Sequence, residues 1–162
     1  MPVVSFGALP DDARVWVFGS SNVLSGEPER ELLAAVDGHL GTWHAHGAPL
    51  TCARDWRDGR FLVIGVDQST AGASGCSIDS LFHILQGIER SLGTSLVAGG
   101  RVFYRNPDGE VVAVDRPTFG ARARAGLIDE ETPVFDTSVT TAGDYRARFE
   151  RPVKESWHAA LV

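Results

Sequence analysis

The feature that most restricts the fold is an uninterrupted apolar run, FLVIGV, at residues 61–66. A strand with one face in water alternates apolar and polar residues, whereas this run has no polar position, which is typical of a strand covered on both faces. Asp58 and Gly59 precede the run and favour a tight hairpin turn, so residues 49–56 predict its antiparallel partner. We therefore expect the core to be built around a hairpin whose second strand is central.

Apolar spacing predicts the other elements of the first 115 residues. Residues 14–18, RVWVF, combine β-branched and aromatic side chains and predict another buried strand. Ser25 can cap a helix that ends near Trp43, and apolar residues recur every three or four positions from Ile78 to Leu92, which predicts a second helix. In chain order we predict strand 14–18, helix 25–43, strands 49–56 and 60–67, helix 78–92, and strands 102–104 and 111–114, the last two joined by the turn NPDG at 106–109.

This order of elements predicts an α+β fold with a ferredoxin-like βαββαβ core. The strand at 111–114 would extend the edge of that sheet. Beyond it, the pattern predicts a helix over 118–125, a short strand over 132–135 and a helix over 142–149. We therefore predict one domain over 1–162, with the ferredoxin-like core over 11–115 and a C-terminal extension over 116–162 packed on it.

Composition disfavours several classes of partner. Of the 162 residues, 15 are basic and 21 acidic, and the net charge of −6 repels nucleic acid and anionic membranes. Residues 1–10 lack a signal-peptide pattern, and no apolar run approaches the ~20 residues of a membrane span, so we expect a cytoplasmic protein with no membrane partner. Cys52 and Cys76 are too few for a disulfide framework and are expected to be free thiols.

The predicted topology places two loops at the same end of the sheet. In the split βαβ arrangement, the loop after the first helix and the loop before the second helix share one end. The first loop carries His44 and His46, and the second runs from Asp67 to Asp79 and contains Cys76. Residues thirty apart in sequence are thereby predicted to be neighbours.

This juxtaposition predicts a small-molecule site centred on Cys76, without a cofactor. Cys76 immediately precedes the expected cap of the second helix, where unpaired backbone N–H groups favour a thiolate. The loop of small residues before it, 71–75, can supply further N–H donors to an anion and serve as an oxyanion hole. His46 is the candidate general base or imidazolium partner, and Asp67 or Asp79 the candidate group that orients it, for acyl or related group transfer or hydrolysis. The predicted catalytic residues are Cys76, His46 and Asp67, and the predicted binding residues are His44, Ser74, Gly75, Ser77 and Asp79.

The same residues also have purely structural interpretations. Cysteine is among the most frequently buried residue types, and a loop of small residues before a helix is often only a tight connection. Asp79 can act as a first-turn carboxylate that complements the helix end. His46 and Gly47 together are typical of a helix C-terminal stop.

Two other functional classes stay open at this point. His44 and His46 with Cys76 offer three ligands of the types that zinc accepts, which is a metal-binding hypothesis. Alternatively, a ferredoxin-like sheet can expose one face and bury it against a second copy, which predicts a non-catalytic assembly module, such as a homodimer. Trp56, Tyr104 and Trp157 are the aromatic candidates for such a surface.

Three segments resemble those of a known family: WHAHGAPL at 43–50, ASGCSID at 73–79 and SWH at 156–158. They are similar to segments of a small, uncharacterised bacterial family that often carries the label "ABC transporter ATPase", and the resemblance spans nearly the whole chain. It implies no established function and no known catalytic residues. The label conflicts with the sequence, because the chain lacks the G-x-x-x-x-G-K-[ST] phosphate loop, and it also lacks a G-x-G-x-x-G dinucleotide motif after a strand.

Overall fold

The computed structural model describes residues 3–69 and 72–162. Its helices are α1 (Gly26–Thr42), α2 (Gly75–Leu92), α3 (Arg116–Arg124) and α4 (Ala142–Arg148). Its strands are β1 (Arg14–Gly19), β2 (His44–Ala45), β3 (Ala48–Pro49), β4 (Thr51–Arg57), β5 (Phe61–Asp67), β6 (Arg101–Arg105), β7 (Val111–Asp115), β8 (Pro133–Phe135) and β9 (Glu150–Pro152). Both helices and strands contribute, so the mixed α+β class is confirmed.

The first sheet has the antiparallel order β1-β5-β4, with β5 in the centre. Every residue from Phe61 to Val66 is buried, as the continuous apolar run predicted. Asp58 and Gly59 are left-handed, with φ of 59° and 63°, and the N–H of Arg60 donates to the carbonyl of Arg57 at 3.1 Å, which closes a tight turn between the paired residues Arg57 and Phe61. The hairpin that the sequence predicted is therefore confirmed.

Helices α1 and α2 cover one face of this sheet. Leu32, Val36 and Leu40 of α1, together with Leu81 and Leu85 of α2, are fully buried and belong to the same apolar cluster. Leu62, Ile64 and Val66 of β5 complete that cluster from the sheet. Burial of leucine-sized side chains, at roughly 1.5–3 kcal/mol each, is what holds the helices on the strands.

A second antiparallel sheet, in the order β7-β6-β8-β9, packs on the opposite face of the first sheet. Phe61 of β5 contacts the rings of Phe103, Phe135 and Phe149, with centroid distances of 4.9, 4.9 and 5.0 Å. On the outer face of this second sheet, α3 and the C-terminal turns bury Tyr104, Phe119 and Val153. The described elements thus form a helical layer, two sheets and a second helical layer.

The prediction of a ferredoxin-like sheet was wrong in the position of its fourth strand. The first three strands and two helices follow the split order, but β6 pairs with β7 and β8 instead of β1. The reason is apolar residues on both faces of β6: Phe103 packs against the first sheet, whereas Val102 and Tyr104 face α3. Stacking face to face buries both sets of side chains.

The segment after residue 115 is more than an extension packed on a finished core. Its strands β8 and β9 are half of the second sheet, and β8 pairs with β6 through Phe103↔Phe135 and Tyr104↔Val134. The edge of β1 also meets this segment, because the N–H of Val15 donates to the carbonyl of Thr140 at 2.9 Å. Among the described helices, none is long and apolar enough to cross a membrane.

Candidate functional site

A cleft of about 380 Å³ lies between the N-terminal turn of α2 and the β2–β3 hairpin. It brings together the loop of His44 and His46 and the loop of Cys76, which are separated by about thirty positions in the chain and were predicted to be neighbours. Among the residues that line the cleft are five of the predicted site residues: His44, His46, Ser74, Cys76 and Ser77.

The hairpin that forms one wall turns at His46 and Gly47. Their φ values are 51° and 78°, so both residues are left-handed, as a two-residue hairpin turn requires. The sequence pattern His46-Gly47 also fitted a helix stop, but α1 ends earlier, at Thr42. On this hairpin His44 and His46 are exposed, whereas Ala45 between them is buried. The two imidazoles are therefore available to solvent and to a ligand.

His44 has a defined tautomer when it is neutral. Its Nδ1 lies 3.0 Å from the carbonyl oxygen of Thr42. A carbonyl can only accept a hydrogen bond, so Nδ1 carries the proton and Nε2 keeps its lone pair. His44 thus has the form that a general base needs, although the sequence assigned this role to His46.

The opposite wall is the first turn of α2, which is capped by a reciprocal pair of serines. The N–H of Ser77 donates to Oγ of Ser74 at 3.1 Å, and the N–H of Ser74 donates to Oγ of Ser77 at 2.7 Å. Ser74 is therefore the cap, and Cys76 lies inside the first turn, not before the cap as predicted. The two serines have a structural role in addition to lining the cleft.

Cys76 is exposed on this first turn. Within the described residues, no acceptor is present for the backbone N–H groups of Gly75 and Cys76. Two adjacent unpaired N–H groups at a helix N-terminus can bind an oxyanion. A thiol and potential oxyanion donors therefore occur side by side.

The aspartates of the predicted site lie elsewhere. Asp67, at the end of β5, accepts hydrogen bonds from the N–H and Oγ of Ser69 at 3.0 and 2.7 Å, and these bonds lower the pKa of its carboxyl. Asp79 is exposed and lines a neighbouring groove with His83 and Ile84, which shares His39 and Ser80 with the Cys76 cleft. Among the described residues that line the Cys76 cleft there is no carboxylate. The predicted orienting role of Asp67 is thus not supported by its position.

His39 was not among the predicted site residues. It lines the cleft, its Nε2 lies 3.4 Å from Oγ of Ser80, and its ring centroid lies 5.9 Å from that of Trp43. Burial lowers the pKa of His39, which favours the neutral imidazole at neutral pH. Spacing places His39 four positions before Trp43, near the end of α1, but this spacing alone does not show that the ring lines a cleft.

The second cysteine has the opposite environment. Cys52 on β4 is fully buried, and its thiol lies 3.6 Å from the carbonyl oxygen of Leu40. Burial raises the pKa of the Cys52 thiol to about 11, so it stays protonated at neutral pH. Cys52 is therefore a buried core residue, which is the structural interpretation that the sequence also allowed for a cysteine.

The segment Ser156-Trp157-His158 lies apart from the cleft. His158 is buried with a ring centroid 6.0 Å from that of Phe119, and its Nδ1 lies 2.7 Å from Oγ of Ser156. These contacts belong to the layer outside the second sheet. The segment thus contributes to packing there and does not line the Cys76 cleft.

The metal-binding hypothesis finds no support in the part of the chain that the structure describes. No group of three or more histidine, cysteine, aspartate or glutamate side chains there is arranged to hold a metal ion. His44, His46 and Cys76 line one cleft without converging on a common point. This arrangement leaves room for a ligand between them.

The aromatic side chains of the assembly hypothesis are mostly engaged within the chain. Tyr104 is buried, and Nε1 of Trp56 donates to a carboxylate oxygen of Glu29 at 3.0 Å. Trp157 is 40% exposed and stacks on His158 with a centroid distance of 3.9 Å. Both sheets have apolar clusters on each face, so the exposed sheet face on which this hypothesis depended is absent from the described structure.

Comparison of the chain with protein-family models, with curated proteins and with solved structures found no match in any of the three. The resemblance of WHAHGAPL and ASGCSID to a bacterial family therefore stays a prediction. Function has to be inferred from the geometry of the cleft.

Proposed function

We propose that the cleft around Cys76 carries out thiol-dependent acyl transfer, or hydrolysis of an acyl substrate, with the Cys76 sulfur as nucleophile. The observation that carries the proposal is an exposed thiol that shares one cleft with the imidazoles of His39, His44 and His46. A thiol becomes a strong nucleophile when a neighbouring base removes its proton.

The base in this proposal is His44. Its Nδ1–H donates to the carbonyl of Thr42, which places the lone pair of the neutral ring on Nε2 and fixes the orientation of the ring. Here a backbone carbonyl takes the place of the aspartate that orients histidine in many hydrolases. No carboxylate is then needed in the cleft, which accords with the position of Asp67.

The reaction proceeds in two balanced steps. The imidazole accepts the proton of the Cys76 thiol, the sulfur attacks the acyl carbon, and the leaving group departs with that proton, so that a thioester forms on Cys76. Water or a second acceptor then loses a proton to the imidazole and attacks the thioester. The acyl product leaves, the sulfur takes the proton back, and the free thiol and neutral imidazole are restored.

The negative oxygen that develops in each step would be bound by the first turn of α2. The N–H groups of Gly75 and Cys76 are unpaired within the described residues and adjacent to the sulfur in the chain. Such preorganised donors supply a large part of the rate of acyl transfer, since losing one typically costs 10²–10³-fold in kcat. The cap formed by Ser74 and Ser77 holds this turn in place.

The proposal is tested by alkylation and acylation of Cys76. Wild-type protein and the variants Cys76→Ser, His44→Gln and His46→Gln are treated with iodoacetamide across pH 5–9 and with a p-nitrophenyl ester, and the modified peptides are quantified by mass spectrometry. We expect an ester-derived acyl group on Cys76 that turns over, and a loss of at least about tenfold in acylation rate for His44→Gln.

His83→Gln is the matched control, because His83 is exposed on α2 and lines the neighbouring groove but not the Cys76 cleft. Its acylation rate should equal that of the wild type. If Cys76 forms no acyl adduct, or if His44→Gln, His46→Gln and His83→Gln all react at the wild-type rate, the proposed chemistry is wrong.

A further inference from the structure

A second cleft, of about 350 Å³, opens along the outer edge of β1. It lies on the side of β1 away from β5, between that edge and the segments 96–101 and 137–140. This cleft is unrelated to the Cys76 site in both position and lining residues. Its strand edge and its charges each point to a particular kind of ligand.

The strand edge offers unpaired backbone groups at Val17. Because successive residues of a strand direct their N–H and C=O groups to alternate sides, Val15, Val17 and Gly19 direct theirs toward this cleft. The N–H of Val15 donates to the carbonyl of Thr140 at 2.9 Å, and the carbonyl of Gly19 accepts from Nη2 of Arg101 at 2.9 Å. Between them, Val17 has no hydrogen-bond partner for either group among the described residues.

The length of this open edge is set by its two ends. Thr140 occupies the edge at Val15, and Arg101 occupies it at Gly19. The stretch left open is Trp16–Phe18, which at about 3.3 Å per residue accommodates roughly three residues of an added strand. A short segment in extended conformation therefore fits, whereas a long strand does not.

The charges of the cleft are positive. Its charged lining residues are Arg14 and Arg101, with no carboxylate among the described residues that line it, although the chain as a whole has a net charge of −6. Neither arginine forms an ion pair with a described residue, and Nε of each is buried without a hydrogen-bond partner there. The carboxylate of Glu89 acts on Arg101 through its charge, although it does not line the cleft or form an ion pair with this arginine. Its Oε1 accepts a hydrogen bond from the N–H of Val97 at 3.1 Å.

The arginines lie near opposite ends of the open edge. Arg14 begins β1 and stacks over Trp16, with its guanidinium carbon 5.2 Å from the ring centroid, and Arg101 is anchored at Gly19. An extended ligand with a carboxylate toward each end would neutralise both guanidinium groups. Nη2 of Arg101 already donates to the carbonyls of Gly19 and Ser95, at 2.9 and 3.1 Å, and its Nε is buried, so Nη1 is the nitrogen left for a ligand. A hydrogen bond from a guanidinium to a carboxylate is about twice as strong as one between neutral groups.

We propose that the cleft along β1 binds a short acidic peptide segment in extended conformation, which pairs through its backbone with Val17 and through its carboxylates with Arg14 and Arg101. The added segment is about three residues long and extends the first sheet by one edge strand. This is β-strand addition, in which backbone hydrogen bonds supply affinity and flanking side chains supply selectivity.

The experiment measures binding of acetyl-Glu-Val-Glu-amide to the full chain by titration calorimetry and by ¹⁵N-¹H NMR shifts. For the wild type we expect saturable binding with the largest shift at the Val17 amide. Arg14→Gln and Arg101→Gln should each lose at least about tenfold in affinity, because each removes one of the two positive charges. Arg124→Gln on α3 is the control and should bind as the wild type does. Acetyl-Lys-Val-Lys-amide should not bind. Thermal melting of each variant verifies that it is folded. Arg14→Lys keeps the positive charge but lacks the guanidinium group, and it should bind the acidic peptide with an affinity between those of the wild type and Arg14→Gln.

A modified peptide tests the backbone contact without altering the protein. With the central valine opposite Val17, its amide is the one that donates to the carbonyl of Val17, so N-methylation of this valine should weaken binding at least about tenfold. Equal binding of the methylated peptide, equal binding of the lysine peptide, or no binding of the acidic peptide at millimolar concentration would each overturn the proposal.

Discussion

The indole N–H of Trp43 donates a hydrogen bond of 2.8 Å to the backbone carbonyl of Ser77. This bond is buried and joins the residue before the β2–β3 hairpin to the first turn of α2. This buried bond thereby holds the two walls of the Cys76 cleft together on their core side. Trp43 also packs edge-on against Trp16 of β1, with a centroid distance of 6.5 Å, which ties this contact to the first sheet.

Replacing Trp43 with phenylalanine should destabilise the protein and loosen the cleft. The substitution removes one buried hydrogen bond to the Ser77 carbonyl, which keeps the Ser80 hydroxyl as a donor at 2.8 Å, and it removes part of a buried ring. We expect a loss of about 2–3 kcal/mol in the free energy of unfolding. Urea denaturation measures this loss. Trp56→Phe is the comparison, because its indole bonds to Glu29 at a part-buried site, and we expect about 1 kcal/mol there.

The two cysteines should differ sharply in reactivity toward iodoacetamide. Raising the pKa of Cys52 from 9.0 to about 11 reduces its thiolate fraction about 100-fold relative to an unperturbed thiol, and its complete burial reduces access further. We expect labelling of exposed Cys76 in the native protein and labelling of Cys52 only at the rate of unfolding. Peptide mass spectrometry over a urea series measures both, and native-state labelling of Cys52 would contradict the buried placement.

The hairpin and its central strand could be predicted from the sequence because local signals settle them. Residues 61–66 leave no polar side chain for a solvent face, and Asp58-Gly59 favours one type of turn. The pairing of β6 could not be predicted in this way, because a strand with apolar residues on both faces fits either an edge position in one sheet or the interior of a second sheet. That choice depends on Phe103 and on side chains far away in the chain, such as Phe135 and Phe149.

For the cleft, chain topology predicted which loops lie side by side, whereas residue type did not predict the roles of the single side chains. The split βαβ order brings the loop of His44 and His46 to the loop of Cys76, whatever strand follows α2. The roles of single side chains depend on contacts that spacing does not specify, such as the Nδ1 bond of His44 to Thr42 or the turn that Asp67 makes with Ser69. His39 was missed because its helical position alone does not distinguish a solvent-facing ring from one that lines a cleft.

Protonation of His158 should destabilise the protein as the pH falls. Burial lowers the pKa of His158 from 6.5 to about 4, so between these values the unfolded chain binds a proton that the folded chain does not. The contribution of His158 is therefore fully present above pH 6.5 and decreases as the pH falls toward 4, at up to ~1.4 kcal/mol per pH unit and about 3 kcal/mol in total.

The comparison that isolates this effect is His158→Gln. Its free energy of unfolding, measured by urea denaturation from pH 4 to 8, should be lower than that of the wild type at pH 8 and approach it toward pH 4, because glutamine does not titrate. The exposed His83→Gln should instead parallel the wild type. A constant difference between His158→Gln and wild type across this range would show that His158 is protonated equally in both states.

The contact between the two sheets at Gly19 should not tolerate a side chain. A Cβ at this position would lie 2.4 Å from Cζ of Phe103, a distance that forces either the ring or the strand to move. Phe103 is itself held by Phe61 at 4.9 Å, so the ring has little freedom to shift, and we expect Gly19→Ala to cost about 1–3 kcal/mol in the free energy of unfolding. Gly38→Ala is the matched control, since a Cβ there meets no atom within 4 Å and the residue lies inside α1, where alanine should stabilise the helix by about 0.5–1 kcal/mol. A Gly19→Ala variant as stable as Gly38→Ala would contradict the close contact between Gly19 and the Phe103 ring.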